Sequence, residues 1–485
     1  MLRTLPRLLP KPASYARPTT LRGSTGLTPR SLLPLLQHPN QSTAPQQPPR
    51  PVLPTPSGWS STLHAAPAAY PRSLASAIGT NARDSHPFAT ASAAGNAQPV
   101  KESKEERNKR LALEKDRCIA ARHDSPVWPF DTALKAEHHP LWIAAERWVN
   151  STQAPDGLTI ITTHACGFSK ESWRPVFAKL FPLLEAGAES GAAFGTGERL
   201  PGDAPHINEI WFLEDTNHGV SVDLNKGRLG DALCWDDSAR ELINFVENVL
   251  PAVGDEADEA GFQLPFELGG KSAQQAGKTP ADGLKRKVVG IGHSYGGNAL
   301  AQAAASRPDL FDAILLVEPM TVPSLVNAGE SGSPLTMGAL KRRSEWPSLA
   351  EAGNVRSNAL FSRWEEEQFR IWLSHYLVPS PSGGMELATP TWAEAQTFSE
   401  PDAPMRGWEC LPDLGMPVGF LMAGDETWMT GEEVAQELVW RPQRARNERI
   451  LDASHLVIQE KPAETAASIG RFLRTLPSWD ERPQK

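Results

Sequence analysis

Acidic residues are missing from the first 83 positions, which carry nine basic ones (Arg3, Arg7, Lys11, Arg17, Arg22, Arg30, Arg50, Arg72, Arg83). The 485-residue chain has a net charge of −9, so 39 basic and 57 acidic residues remain beyond that point, a balance of −18. An acidic main body excludes the basic footprint that nucleic-acid binding requires. Cysteine is also scarce. Cys118, Cys166, Cys234 and Cys410 form no CxxC pair and no metal-ligand spacing, which excludes a zinc site or disulfide framework and fits a reduced compartment. No apolar run approaches the ~18 residues of a membrane-spanning helix.

What is present divides the chain. Residues 1–100 hold 17 of the 44 prolines. Such a segment buries too little apolar surface to offset its chain entropy and is predicted to be disordered. Its Arg- and Ser-rich, acid-free composition is that of a mitochondrial targeting segment. Pro6 and Pro10 interrupt the helix such a signal forms, so an untargeted tail on a cytoplasmic protein stands as the alternative. A secretory apolar core is missing, and Pro483-Gln484-Lys485 is not a peroxisomal Ser-Lys-Leu signal. Residues 101–137, opening with "KESKEERNKRLALEKDR", read as a charged helical linker with solvent on most faces.

From residue 138 strands alternate with helices. "LWIAAERWV", "LTIITTHA", "EIWFLED", "KVVGIGH", "DAILLVEP" and "PVGFLMAGDE" read as strands. The pattern predicts an α/β fold with a mostly parallel central sheet and helices on both faces. Its core comprises residues 138–318 and 405–485. Residues 319–404 break the alternation and read as a helical lid inserted before the penultimate strand. Gly-rich stretches 186–206 and 252–284 read as loops.

Gly292-His293-Ser294-Tyr295-Gly296 matches G-x-S-x-G between a β-branched run and an alanine-rich helix. A sharp strand-to-helix turn exposes the serine hydroxyl and requires glycine-sized neighbours on both sides. The hydroxyl is a weak nucleophile at neutral pH and needs a base. Two histidines follow Ser294. His375 falls within a helical stretch, as a packed or surface residue, whereas His455 in "LDASHLVIQEKP" lies on a late loop, where the base of such a site belongs. For the acid, Glu318 ends "AILLVEP", and a carboxylate there needs a partner if buried. Asp425 and Glu426, after "FLMAG", are the alternatives. An oxyanion hole would use the N–H of Tyr295 and that of Cys166 or Ala165 in "THACGF". "EDTNHGVS", with Asp215 and His218, reads as a turn bracing the site from behind.

Together with "CWDDSAREL", "KRRSEWPSLAEA" and "RWEEEQFRIWLSHYL", these stretches resemble the α/β-hydrolase superfamily. The likeness is greatest to the fungal branch of secondary-metabolism and toxin-biosynthesis hydrolases, which includes acyl-CoA hydrolase activity. It spans residues 140–475. In that branch the acid follows the strand after the elbow helix, as Glu318 does, although Asp is the usual residue. The resemblance implies hydrolysis of an ester or acyl thioester through an acyl-enzyme, with no cofactor or metal. Trp346, Trp364 and Trp372 suggest an apolar small-molecule acyl substrate, or simply pack the lid. Lys341-Arg342-Arg343 reads as a solvated helix face rather than a phosphate-binding patch. An epoxide hydrolase would want Asp at position 294. A non-catalytic binding protein, a C–C bond hydrolase and an acyltransferase share the expected fold, and the oligomeric state is left open.

Overall fold

The structure is a computed structural model that describes residues 13–25, 27, 31–38, 43–46, 50–72, 103–123, 139–186, 193–196, 205–251, 261–266, 286–323, 334–381, 383–424 and 431–478. The central sheet comprises β1 (Trp59–Pro67), β2 (Trp142–Asn150), β3 (Leu158–Thr163), β4 (Ile207–Leu213), β5 (Lys287–His293) and β6 (Ala313–Val317). The cap then contributes β7 (Glu345–Trp346), β8 (Leu377–Ser380) and β9 (Gly384–Leu387), before β10 (Val418–Ala423) and β11 (Ala445–Ile450) complete the main sheet. Its spatial order is β1-β2-β4-β3-β5-β6-β10-β11. From β4 to β11 all neighbours run parallel, while β1 and β2 pair antiparallel.

Successive strand residues point to opposite faces, so unbroken apolar runs belong to strands covered on both sides. Ile314 and Leu316 enter one core with Leu242 and Leu300, from the helices Trp235–Asn244 and Tyr295–Ser306. Leu315 and Val317 enter the other with Phe177 and Phe472, from the helices Arg174–Ala186 and Pro462–Thr475. The sheet is thereby sandwiched, and the C-terminal ends of β3, β5, β6 and β10 form one rim.

Three expectations change. The first is disorder across residues 1–100. Trp59–Pro67 is an edge strand paired along its length with β2, and Ala13 bridges to Arg449 on β11 at the opposite edge. A proline-rich arm offers carbonyls but few N–H donors, and arginines of the main body supply them. Arg240, fully buried, donates to the carbonyls of Leu33 (3.0 Å), Pro34 (3.2 Å) and Pro71. Arg174 donates to Leu53 (3.0 Å) and Pro54 (2.9 Å). Residues 73–100, within the same expectation, lie outside the described residues.

The second is the solvated linker helix. Lys104–His123 is helical, but Leu111 and Cys118 are buried, and Leu111 packs on Ala339, Leu340 and Ala395 of the cap. The third is the all-helical lid. The cap also holds the small sheet β7-β9-β8, whose turn uses Gly383 and Gly384 at positive φ. The loops expected at 186–206 and 252–284 lie largely outside the described residues, although Gln263 of the second bridges to Ala65 on β1.

Candidate active site

Ser294 sits between β5 and the helix that follows, at φ 55 and ψ −119. This is the left-handed region that costs a non-glycine residue strain. Three main-chain hydrogen bonds hold it there. The Ser294 N–H donates to Val317 O (2.9 Å), and its carbonyl accepts from Asn298 N (3.1 Å) and Met320 N (2.9 Å). A Cβ at position 292 would fall 2.8 Å from Gly296 O and from Thr163 Oγ1, and one at position 296 would fall 2.5 Å from His164 O. Both glycines are there for close approach, and Ser294 stands 7% exposed at the rim.

His455 lies on the loop after β11, which Ser454 anchors through Glu460 (2.9 and 2.6 Å). Its Nε2 is 2.9 Å from Ser294 Oγ and its Nδ1 is 3.0 Å from Glu318 Oε2. The His293 Nε2–H donates to the His455 carbonyl (2.9 Å), tying the elbow to the histidine loop. Burial, and then the neighbouring His455, lower the pKa of His293 to about 3, so its ring stays neutral.

Glu318 leaves the tip of β6 at φ 43. Its N–H donates to Leu421 O on β10 (2.9 Å), and its Oε1 accepts from Ala423 N (2.6 Å). The carboxylate is 4% exposed and has donors on both oxygens, as a buried charge requires. The structure thus brings together Ser294, His455 and Glu318, while Asp425 and Glu426 lie outside the described residues. His375 is buried elsewhere and donates through Nε2 to Pro51 O (3.1 Å).

Tyr295 opens its helix, so its N–H has no intrahelical acceptor. Ala165 and Cys166, on the loop after β3, line the same cavity as Ser294. Burial, and then Glu394, push the Cys166 thiol well above its usual range, so it stays protonated. The cavity, about 1240 Å³, runs between rim and cap. Phe168, Trp346, Phe361, Trp364, Trp372 and Tyr376 line it, and the cap tryptophans therefore both pack the cap and face the cavity. Arg342 and Arg343 also line it, although both are exposed. Arg342 pairs with buried Glu394 (2.8 Å) and Arg343 packs over Trp346. The solvated-face reading was therefore incomplete. Arg22, from the N-terminal arm, lines the cavity too. Among the described residues no helix is long and apolar enough to cross a membrane.

A mostly parallel sheet with a cap, a serine on the β5 elbow and a histidine on the last loop define an α/β hydrolase. The chain belongs to the alpha/beta hydrolase family, whose model matches residues 160–468. It is 26% identical over 206 residues to the type I acyl-CoA thioesterase mpaH of Penicillium brevicompactum, covering 42% of this chain and 36% of that one. Another relative, the peroxisomal membrane protein LPX1 of Saccharomyces cerevisiae, is 26% identical over 197 residues, covering 40% of this chain and 39% of that protein. The match therefore spans little more than a third of these relatives' length. The solved structure of the peroxisomal alpha-beta-hydrolase Lpx1 from Saccharomyces cerevisiae superposes with a TM-score of 0.57 at 15% identity, over 88% of this chain and 92% of that one. The shared fold is what that likeness shows.

Sequence reasoning missed the reach of the N-terminal arm and of Glu394. It saw the "EDTNHG" turn only as bracing, without the contacts that His164 and His218 make with Ala165 and Gly167 on the loop after β3. Two histidines, each directly after a strand or in the turn beyond the next strand, were the available signal.

Proposed function

We propose that this protein is a serine hydrolase that cleaves a carboxylic ester or acyl thioester through an acyl-enzyme. The observation that carries the reading is the continuous chain from Ser294 Oγ through the His455 ring to Glu318, at 2.9 and 3.0 Å. Ser294 Oγ attacks the acyl carbonyl as His455 Nε2 takes its proton. Glu318 holds the Nδ1–H and balances the imidazolium that forms. The N–H groups of Tyr295 and of Cys166 receive the developing oxyanion. His455 returns the proton to the leaving oxygen or sulfur, and water, activated by the same ring, releases the acid.

The aromatic cavity supports a large apolar acyl group, with the ester end at the sheet rim. That a relative is an acyl-CoA thioesterase favours a thioester. As for location, the Arg-rich N-terminus favours the mitochondrion. Ala13 and Trp59–Pro67 pair with opposite edges of the sheet, so a targeting role would fall to residues outside those contacts.

The test is labelling with a fluorophosphonate probe. The parent protein is expected to label stoichiometrically and Ser294→Ala to remain unlabelled and inactive on p-nitrophenyl esters and acyl thioesters. An unlabelled parent, or an active Ser294→Ala, refutes the reading.

A further inference from the structure

The turn between β4 and the short helix Gly219–Leu224 touches both halves of the oxyanion hole, and it does so through groups that the mechanism above does not use. On one side, Tyr295 donates its phenol O–H to Asp215 and accepts from the Ser238 hydroxyl. This fixes the residue whose N–H follows the nucleophile. Burial, and then Asp215, raise the Tyr295 phenol well above its usual range, so it stays a donor.

On the other side stand two histidines. The Asp215 N–H donates to His164 Nε2 (3.1 Å), which assigns the ring proton to Nδ1, and that Nδ1–H donates to Ala165 O (2.8 Å). The same carbonyl accepts from Phe168 N (3.1 Å). The carbonyl of Ala165 and the N–H of Cys166 belong to one trans peptide and point in opposite directions. Clamping the carbonyl toward the His164 ring therefore turns the Cys166 N–H the other way. The next N–H, that of Gly167 at φ 78, donates to His218 Nε2 (3.0 Å). His218 comes from the turn itself, is fully buried, and lies 4.9 Å from His164 ring to ring. A side chain at position 167 would be strained by φ 78, and its Cβ would press on the Glu394 carboxylate, 2.5 Å away at Oε1.

We propose that His218, with His164, is a positioning residue for the oxyanion hole: by accepting the Gly167 N–H it leaves the Cys166 N–H as the donor that faces the substrate oxygen. The proposal rests on the serine-hydrolase reading. Without His218 as acceptor, the Gly167 N–H competes for other partners, and the Ala165–Gly167 peptides lose their fixed tilt. Both rings must be neutral to accept at Nε2. Burial holds His164 below its usual range, and burial, followed by its neighbour His164, holds His218 well below it.

Displacement of a catalytic dipole by about 1 Å costs on the order of 10²-fold in rate. His218→Leu is therefore expected to lower kcat by about 10- to 100-fold with KM within about twofold. Inhibition by a trifluoromethyl ketone, which forms a tetrahedral adduct on serine, should weaken in parallel. His218→Asn, which keeps a buried oxygen acceptor, should recover part of the loss. In the parent protein, histidine-selective ¹⁵N spectroscopy should find His164 and His218 neutral with the proton on Nδ1. An Nε2–H tautomer of His218 overturns the proposal even if every variant fails to fold. So does a folded His218→Leu with parental kcat and ketone affinity. If Ser294→Ala retains turnover, it is the serine-hydrolase reading that fails, whatever the His218 variants do.

Discussion

Replacing Arg72 with methionine removes one half of a buried ion pair that joins the N-terminal arm to the main body. Arg72 and Glu241 are each 5% exposed. The guanidinium donates to Glu241 Oε1 and reaches Thr216 Oγ1 at 3.4 Å. With Arg72 gone, the Glu241 carboxylate keeps the Ala69 N–H (2.6 Å), too little to hold an interior charge. Breaking a buried pair on one side costs about 3–5 kcal/mol, a large share of the roughly 5–15 kcal/mol by which domains are stable. Replacing both partners with apolar residues is near neutral. The double variant Arg72→Met/Glu241→Leu should therefore regain most of the loss instead of adding a second one. Urea unfolding of the parent, both single variants and the double variant, followed by tryptophan fluorescence at one pH, measures all four corners. If Arg72→Met lies within 1 kcal/mol of the parent at an unchanged urea slope, the arm is not seated on Glu241 and its loss would be harmless.

Two further outcomes are expected. Glu318→Gln keeps the shape of the carboxylate but favours the wrong His455 tautomer, so kcat should fall by about 10³–10⁴-fold while Asp425→Asn stays within a few-fold. Loss of turnover in Asp425→Asn alone would move the acid off β6. His293 is buried neutral, with its pKa at about 3 against an ordinary 6.5. The unfolded chain takes up the proton first as pH falls. The stability that this histidine contributes is complete above about pH 6.5 and is lost progressively down to about pH 3. Between pH 6.5 and 4.5 the loss amounts to about 2 kcal/mol. Denaturant titrations of His293→Gln should lack that share, and parallel curves for parent and variant would contradict it.

Much of the site was legible because its constraints are local. The glycines flanking Ser294 betray a turn with no room for a Cβ, and the β-branched runs before them betray strands buried on both faces. Glu318 could be favoured from its place at a strand tip after five apolar residues, since an ionisable group there demands a partner. The arm was not legible for an equally physical reason. Its prolines and small polar residues bury little area and form no periodic pattern, and its order comes from arginine donors some hundreds of residues away. The linker helix misled in the same way: Leu111 is one of few apolar residues on a charged helix, and only the cap helices that carry Ala339, Leu340 and Ala395 give it a buried face.

The sequence by itself determined the elbow, the strand-helix alternation and the late histidine, because each follows from backbone sterics and hydrophobic periodicity within a few residues. Tertiary structure alone decided which donors hold the Glu318 carboxylate, how the β4 turn grips the loop after β3, and that the N-terminal arm supplies the strand Trp59–Pro67 and places Arg22 at the cavity. Those contacts join segments far apart in the chain, and hydrogen bonds between distant groups leave no period in the sequence.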